Sequence, residues 1–222
     1  EVGAGLTISP NSTHGLEYVG LADELQERAN IPQNQAIIHY KTGDILAQSE
    51  RGDIPRQKYG ANYYQIHRAD LHDMLSGAAR SNDPDCIVLD QTFESYCETD
   101  NGVEATFANG DTITCDVLIG ADGVRSGVRS AMFGPEDPKF TGNVAYRGLV
   151  HKGELADEVV TPHSGVAIAP RKAFTRYLVR NGEMVNFVAF VRRDGWNEEG
   201  WSIPVSKEEL FEEFGDWHPR IR

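Results

Sequence analysis

The spacing of apolar residues changes several times along the chain, and each change marks an expected element. Over residues 11–25, Leu16, Val19, Leu21 and Leu25 recur at helical intervals, with a break at Gly20. Residues 36–46 turn strand-like, and Thr42-Gly43-Asp44 supplies hairpin chemistry. Residues 50–60 are polar with glycine and proline and read as a loop. An amphipathic helix follows over 68–80, with Leu71, Leu75 and Ala78 or Ala79 on one face, ending before Pro84. Short strands are expected at 86–89, 92–98 and 103–108. Asn109-Gly110-Asp111 then turns the chain, and 112–115 lead into a buried strand over 116–119. Alternation in Glu104-Ala105-Thr106-Phe107 suits an antiparallel strand with one solvated face. The second half has strand patterning at 144–150, 165–169, 174–179 and 184–191, with Asn181-Gly182 as a two-residue hairpin signal. A last amphipathic helix covers 207–214, capped by Ser206 with Glu209 in the capping-box position.

The stretch after residue 116 carries the first candidate chemistry. Val117-Leu118-Ile119 run into Gly120-Ala121-Asp122-Gly123-Val124-Arg125-Ser126, and a helical pattern continues through Val128 and Met132. Glycines at a strand-turn-helix joint permit positive φ and close approach of a ligand to the backbone. The helix start offers unpaired N–H groups and the positive end of its dipole. Asp122 would sit at the carboxyl end of the strand, where open α/β sheets place ligands. The same pattern also suits a joint in which Asp122 only caps the helix.

Composition narrows the partners. The chain has 222 residues, 40% hydrophobic and 25% charged, enough for one large domain or two small ones with a true core. The net charge of −13 disfavours nucleic acid and anionic membranes. No apolar run approaches the roughly 20 residues that cross a bilayer. Cys86, Cys97 and Cys115 are odd in number and have no Cys-x-x-Cys spacing. They suit buried thiols in a reducing, cytoplasmic compartment better than a disulfide frame or a zinc site. His67 and His72 lie about 140° apart round a helix, which argues against a shared metal.

Taken together, Arg68-Ala69-Asp70-Leu71 and Gly120-Ala121-Asp122-Gly123-Val124-Arg125-Ser126 resemble the class A flavoprotein monooxygenases, nearest the salicylate and 6-hydroxynicotinate hydroxylase branch. Further segments resemble the same family in the same order: Glu1-Val2-Gly3-Ala4-Gly5-Leu6 with Ser9-Pro10-Asn11, Ala145-Tyr146-Arg147-Gly148, Asn186-Phe187-Val188-Ala189, Trp201 and Trp217-His218-Pro219. The resemblance implies an α/β chain of the p-hydroxybenzoate hydroxylase fold: a partial, Rossmann-like FAD-binding domain and a mostly antiparallel β substrate domain. The expected boundaries are 1–35 and 61–135 for the FAD side, 36–60 and 136–205 for the substrate sheet, and 206–222 for a helix starting the return. No Gly-x-Gly-x-x-Gly follows a strand, and the family's Gly-Asp with Ala-His-Pro is absent, so the chain is expected to be an internal fragment of a longer enzyme.

The activity implied is hydroxylation of a small phenolic or heteroaromatic acid with FAD, NADH or NADPH, and dioxygen. A homodimer is left open for the full-length enzyme. Arg68 matches the family arginine that contacts FAD, although a solvated arginine or one paired with Asp70 or Asp73 fits its position equally. Asp122 matches an aspartate associated with FAD and pyridine nucleotide, with Gly120 and Gly123 keeping its turn open. Tyr177 lies where the branch carries an active-site tyrosine four residues after a histidine, but Ala173 holds the earlier position. Thr7 holds another position facing the active site, where hydroxynicotinate enzymes carry histidine. A buried strand tyrosine is the alternative for Tyr177, and Arg147 is expected to support a domain interface. Two other functions compete: a non-catalytic nucleotide- or partner-binding module, and a flavoprotein oxidoreductase that does not hydroxylate.

Overall fold

The computed structural model describes residues 4–195, 200 and 203–221. Trp201 and Glu1-Val2-Gly3, among the expected landmarks, lie outside the described residues. The chain forms two compact units, Glu1–Ser81 with Gly142–Arg222, and Asn82–Thr141.

In the first unit, β1 (Gly5–Ile8) is followed by α1 (Pro10–Tyr18), α2 (Ala22–Arg28), β2 (Asn34–His39), β3 (Ile45–Glu50), α3 (Ile54–Tyr59), β4 (Tyr64–His67) and α4 (Arg68–Asn82). The break expected at Gly20 separates α1 from α2, and Gly20 has φ +81°. The stretch expected to be a loop at 50–60 contains α3 instead. Pro55 falls in its first turn, where a missing N–H costs nothing, and Gly60 closes it at φ +81°. Its proline and glycine are helix-end signals rather than loop signals. α4 buries Met74 with Leu71 and Ala78 packed beside it as expected, while Leu75, expected on the same face, is exposed and Met74 takes its place.

β1 and β4 pair antiparallel, and their Ile8, Tyr64 and Ile66 meet Leu21, Leu25, Ala29 and Met74 in one core. Every residue of β4 is buried, including Gln65 and His67.

After the second unit the chain returns in β8 (Asn143–His151), following β5 (Phe93–Thr99), β6 (Gly102–Phe107), β7 (Thr112–Cys115) and α5 (Gly127–Phe133). A short α6 (Asp157–Val160) precedes β9 (Ser164–Ala169), β10 (Lys172–Val179) and β11 (Met184–Arg192), and α7 (Lys207–Phe214) comes last. The six-stranded sheet runs β3-β2-β9-β10-β11-β8, antiparallel except where β2 meets β9. One face is a closed core. Ala36, Ile38, Tyr146, Ala167, Phe174, Ala189 and Val191 pack beneath Phe214, Trp217 and Ile221. α7 starts as the sequence indicates, with Ser206 Oγ accepting the Glu209 N–H at 3.1 Å. The Asn181-Gly182 turn joins β10 to β11 through four residues rather than two, with Arg180, Asn181 and Gly182 all at positive φ.

The second unit is the three-stranded meander β5-β6-β7 with α5. The strands expected at 86–89 and 116–119 do not form. β7 ends at Cys115 because its partner β6 begins at Gly102, so the ladder offers nothing to pair with residue 116 onward. Val117 is 70% and Ile119 80% exposed, an apolar alternation with no neighbouring strand among the described residues.

Candidate active site

Cross-strand partners share a face of a sheet. The face opposite the α7 core therefore presents the row Ser164–Tyr177–Asn186–Leu149, and beside it Val166–Thr175–Val188–Arg147. β2 adds Ile37 next to Val166, and the following row holds Ile168, Ala173 and Phe190. Part of this face is covered by the β1–β4 pair. Gln65 Nε2 donates to Ser164 Oγ at 3.1 Å, and the Gly5 N–H donates to Asn186 Oδ1 at 2.7 Å. The rest is open, with Ile37 39%, Ile168 43% and Phe190 40% exposed. The face thus sets half-open apolar area beside a buried polar row.

Tyr177 lies at the boundary of the covered and open parts. It is 8% exposed, and its ring lies directly against Gly5. Burial pushes its hydroxyl up to about 12, and the Arg147 charge pulls in the other direction. At neutral pH it is thus a neutral hydroxyl, suited to donate a hydrogen bond and unsuited to act as a base. Asn186 Nδ2 in that row and Gln65 Oε1 above it on β4 are buried without a hydrogen-bond partner among the described residues. Thr7 pairs with Gln65 on β1 and is exposed; two residues from Gly5, it points to the same side as Gly5. The structure thus brings Thr7 and Tyr177 to facing surfaces.

Arg68 opens α4 directly after β4, is exposed, and its backbone N–H donates to Ala4 O at 2.8 Å. Arg68 therefore starts at the end of the β1–β4 pair that carries Gly5. A 15-residue helix starting there adds the positive end of its dipole, so position and charge suit an anionic or polar segment of a cofactor.

Asp122, Gly120 and Gly123 lie in the other unit. The Asp122 carboxylate accepts from Ser126 Oγ at 2.5 Å and from the N–H groups of Gly127 and Val128 at 2.7 and 3.3 Å. These bonds, the Ser126 hydroxyl first, hold its carboxyl below the usual range. Ser126 Oγ in turn accepts the Arg129 N–H at 2.9 Å. Asp122 is thus a cap for α5. The two glycines differ in purpose. A Cβ on Gly120 would stand 2.8 Å from the Val128 Cβ, so Gly120 lets the turn pack on α5. Gly123 has φ +86° with nothing within 4 Å of its Cβ position, which leaves its backbone open to a ligand.

The sequence reading missed Gln65, Ser164 and the role of Asn186. A usable signal was present in Tyr64-Gln65-Ile66-His67, where polar residues alternate inside a segment with no exposed face. Among the described residues no group of three or more His, Cys, Asp or Glu could hold a metal ion, and no helix is long and apolar enough to cross a membrane.

Known proteins agree with this architecture. The family described as FAD binding domain matches residues 3–213. The 6-hydroxynicotinate 3-monooxygenase of Pseudomonas fluorescens is 32% identical over all of this chain and 57% of its own length. The 3-hydroxybenzoate 6-hydroxylase of Klebsiella oxytoca is 28% identical over all of this chain and 55% of its own. A solved salicylate hydroxylase substrate complex superposes with a TM-score of 0.77 at 25% identity, covering 96% of this chain and 56% of that one. The chain thus spans little more than half the length of these relatives. With the match running over nearly all of it, the chain belongs to the FAD binding domain family.

Proposed function

We propose that this chain is part of an FAD-dependent monooxygenase that hydroxylates a small aromatic acid, using NADH or NADPH and dioxygen. The observation that carries the reading is the open sheet face beside Tyr177, in a chain whose relatives include hydroxylases of 6-hydroxynicotinate and 3-hydroxybenzoate. When bound, FAD supplies the redox chemistry that activates dioxygen. Arg68 grips the cofactor from the start of α4. Residues 1–35 and 61–135 form the FAD side, and 36–60 with 136–205 the substrate sheet.

On that sheet the aromatic ring lies over Thr175, between Tyr177 and Ala173. Tyr177 donates a hydrogen bond from its neutral hydroxyl to an oxygen substituent of the ring, and the Arg147 charge favours an anionic substrate. Thr7 faces the ring from β1. Ala173 and Tyr177 share this face, about 13 Å apart along β10 at ~3.3 Å per residue, which leaves room for one ring between them. A histidine at 173 would close the far end, so alanine there points to a bulkier or differently substituted ring. Cys86 and Cys97, expected to be buried, are exposed, and as free thiols they suit work in the reducing cytoplasm.

The test uses the full-length protein loaded with FAD, supplied with NADH or NADPH and offered 6-hydroxynicotinate, 3-hydroxybenzoate and salicylate in turn. Faster NAD(P)H oxidation with a hydroxylated product supports the proposal. Oxidation without product favours the non-hydroxylating oxidoreductase, and failure to take up FAD favours the binding module.

A further inference from the structure

Arg180 sits in the turn between β10 and β11, three residues beyond Tyr177, in the left-handed region at φ +52°. Asn181 follows it at φ +52°. Two consecutive non-glycine residues in that region need something to hold them. Arg180 donates from Nε to Asp70 Oδ2 at 3.1 Å and from Nη2 to Asp70 Oδ1 at 3.0 Å, a bidentate fork. The Asn181 amide donates to the Glu27 carbonyl in the last turn of α2. The turn is therefore tied to two helices of the β1–β4 layer, and Asp70 belongs to the same first turn of α4 as Arg68.

A second tie completes a closed path. The Arg68 N–H bonds Ala4, the Gly5 N–H bonds Asn186, and Tyr177 packs on Gly5. From Asp70 the path runs to Arg180, back along β10 to Tyr177, across to Gly5, and through Ala4 to Arg68. We infer that the Arg180–Asp70 fork is a positioning device, fixing the helix start that carries Arg68 against the strand that carries Tyr177. The inference rests on the proposed roles of those two residues.

Neither partner touches substrate or cofactor in this scheme. The Asp70 side chain is 18% and the Arg180 side chain 45% exposed, and half-exposed ion pairs add little to global stability. What such a pair supplies is direction, because a guanidinium fork fixes an angle that a lysine ammonium cannot. Another neighbour of Asp70 is His67 Nδ1 at 3.8 Å, on its own chain segment. Losing Arg180 removes the tie from that carboxylate to the turn after β10.

The experiment uses full-length enzyme carrying Arg180→Ala, Asp70→Asn, both together, Arg180→Lys, or Arg68→Ala. FAD affinity of the apoprotein is read by flavin fluorescence, stability by apoprotein melting temperature, and registration by the fraction of NAD(P)H that ends as hydrogen peroxide. Arg180→Ala and Asp70→Asn should each weaken FAD binding about three- to tenfold and raise the peroxide fraction, with unchanged melting temperature. The double variant should be no worse than either single one, and Arg180→Lys should recover little. Wild-type affinity and peroxide fraction in both single variants would overturn the inference. So would losses that simply track a falling melting temperature. If Arg68→Ala weakens FAD binding and Arg180→Ala does not, the clamp alone is wrong. If Arg68→Ala changes nothing, the assignment of the cofactor site falls as well.

Discussion

The ring of Tyr177 occupies the space that a side chain at position 5 would need: a Cβ on Gly5 would stand 2.6 Å from Cε2 and 2.8 Å from the hydroxyl oxygen. Gly5→Ala should therefore push the ring or β1 aside. Overpacking of this kind costs about 1–3 kcal/mol, read as a lower melting temperature of the full-length protein. Adding Tyr177→Ala should relieve the ring's share of the clash, the Asn186 Cγ at 2.8 Å remaining, so the double variant should be more stable than the sum of the single losses. Strict additivity would mean that the two residues do not share this space.

Tyr177→Phe keeps the packing and removes the hydroxyl. Melting temperature at pH 7 and flavin content should barely change. Turnover should fall, by up to about 10²-fold if the donated hydrogen bond acts in the transition state. Intact turnover with a lower melting temperature would make Tyr177 a core residue only.

The same hydroxyl has an alkaline signature. Its folded-state value is raised, so its contribution to stability is complete below the ordinary tyrosine value of about 10. That contribution is lost as pH climbs towards about 12. The wild-type protein should lose on the order of 2 kcal/mol of stability across that window relative to Tyr177→Phe. Parallel stability curves for the two proteins between pH 10 and 12 would contradict the burial of this group.

Asp122→Ala removes a cap that ties down two backbone N–H groups and the Ser126 hydroxyl. A lower melting temperature and faster amide exchange confined to the start of α5 are expected. Unchanged exchange at Gly127 and Val128 would show that the carboxylate does not cap the helix in solution.

Arg68→Ala should weaken FAD binding roughly ten- to hundredfold with little change in folding, since one or two charge-assisted bonds are lost while the exposed side chain supports no core. Titration of the apoprotein with FAD measures this directly. Wild-type affinity would remove Arg68 from the site.

Much of this was legible in the residues because local signals and tertiary packing agree. Gly20 separates two helices, Ser206 caps α7, and the four strands of the second half follow their own alternation. Misreadings arose where a residue type serves two ends. Pro55 and Gly60 bracket a short helix as readily as they break one. Val117 and Ile119 alternate like a strand, yet a strand needs a neighbour, and β6 stops at Gly102. At the candidate site, Tyr177 stood out by its place in a family pattern. Its surroundings did not, because Gln65, Ser164 and Asn186 come from three strands whose register no local pattern encodes.

The most direct test of the account is the fate of dioxygen. The full-length, FAD-loaded protein is given NAD(P)H and the best substrate of the aromatic acid panel under ¹⁸O₂, and the product is weighed by mass spectrometry. The account predicts a hydroxylated ring carrying one ¹⁸O atom, with product falling in Tyr177→Phe. NAD(P)H consumed with no ¹⁸O in any aromatic product would contradict it.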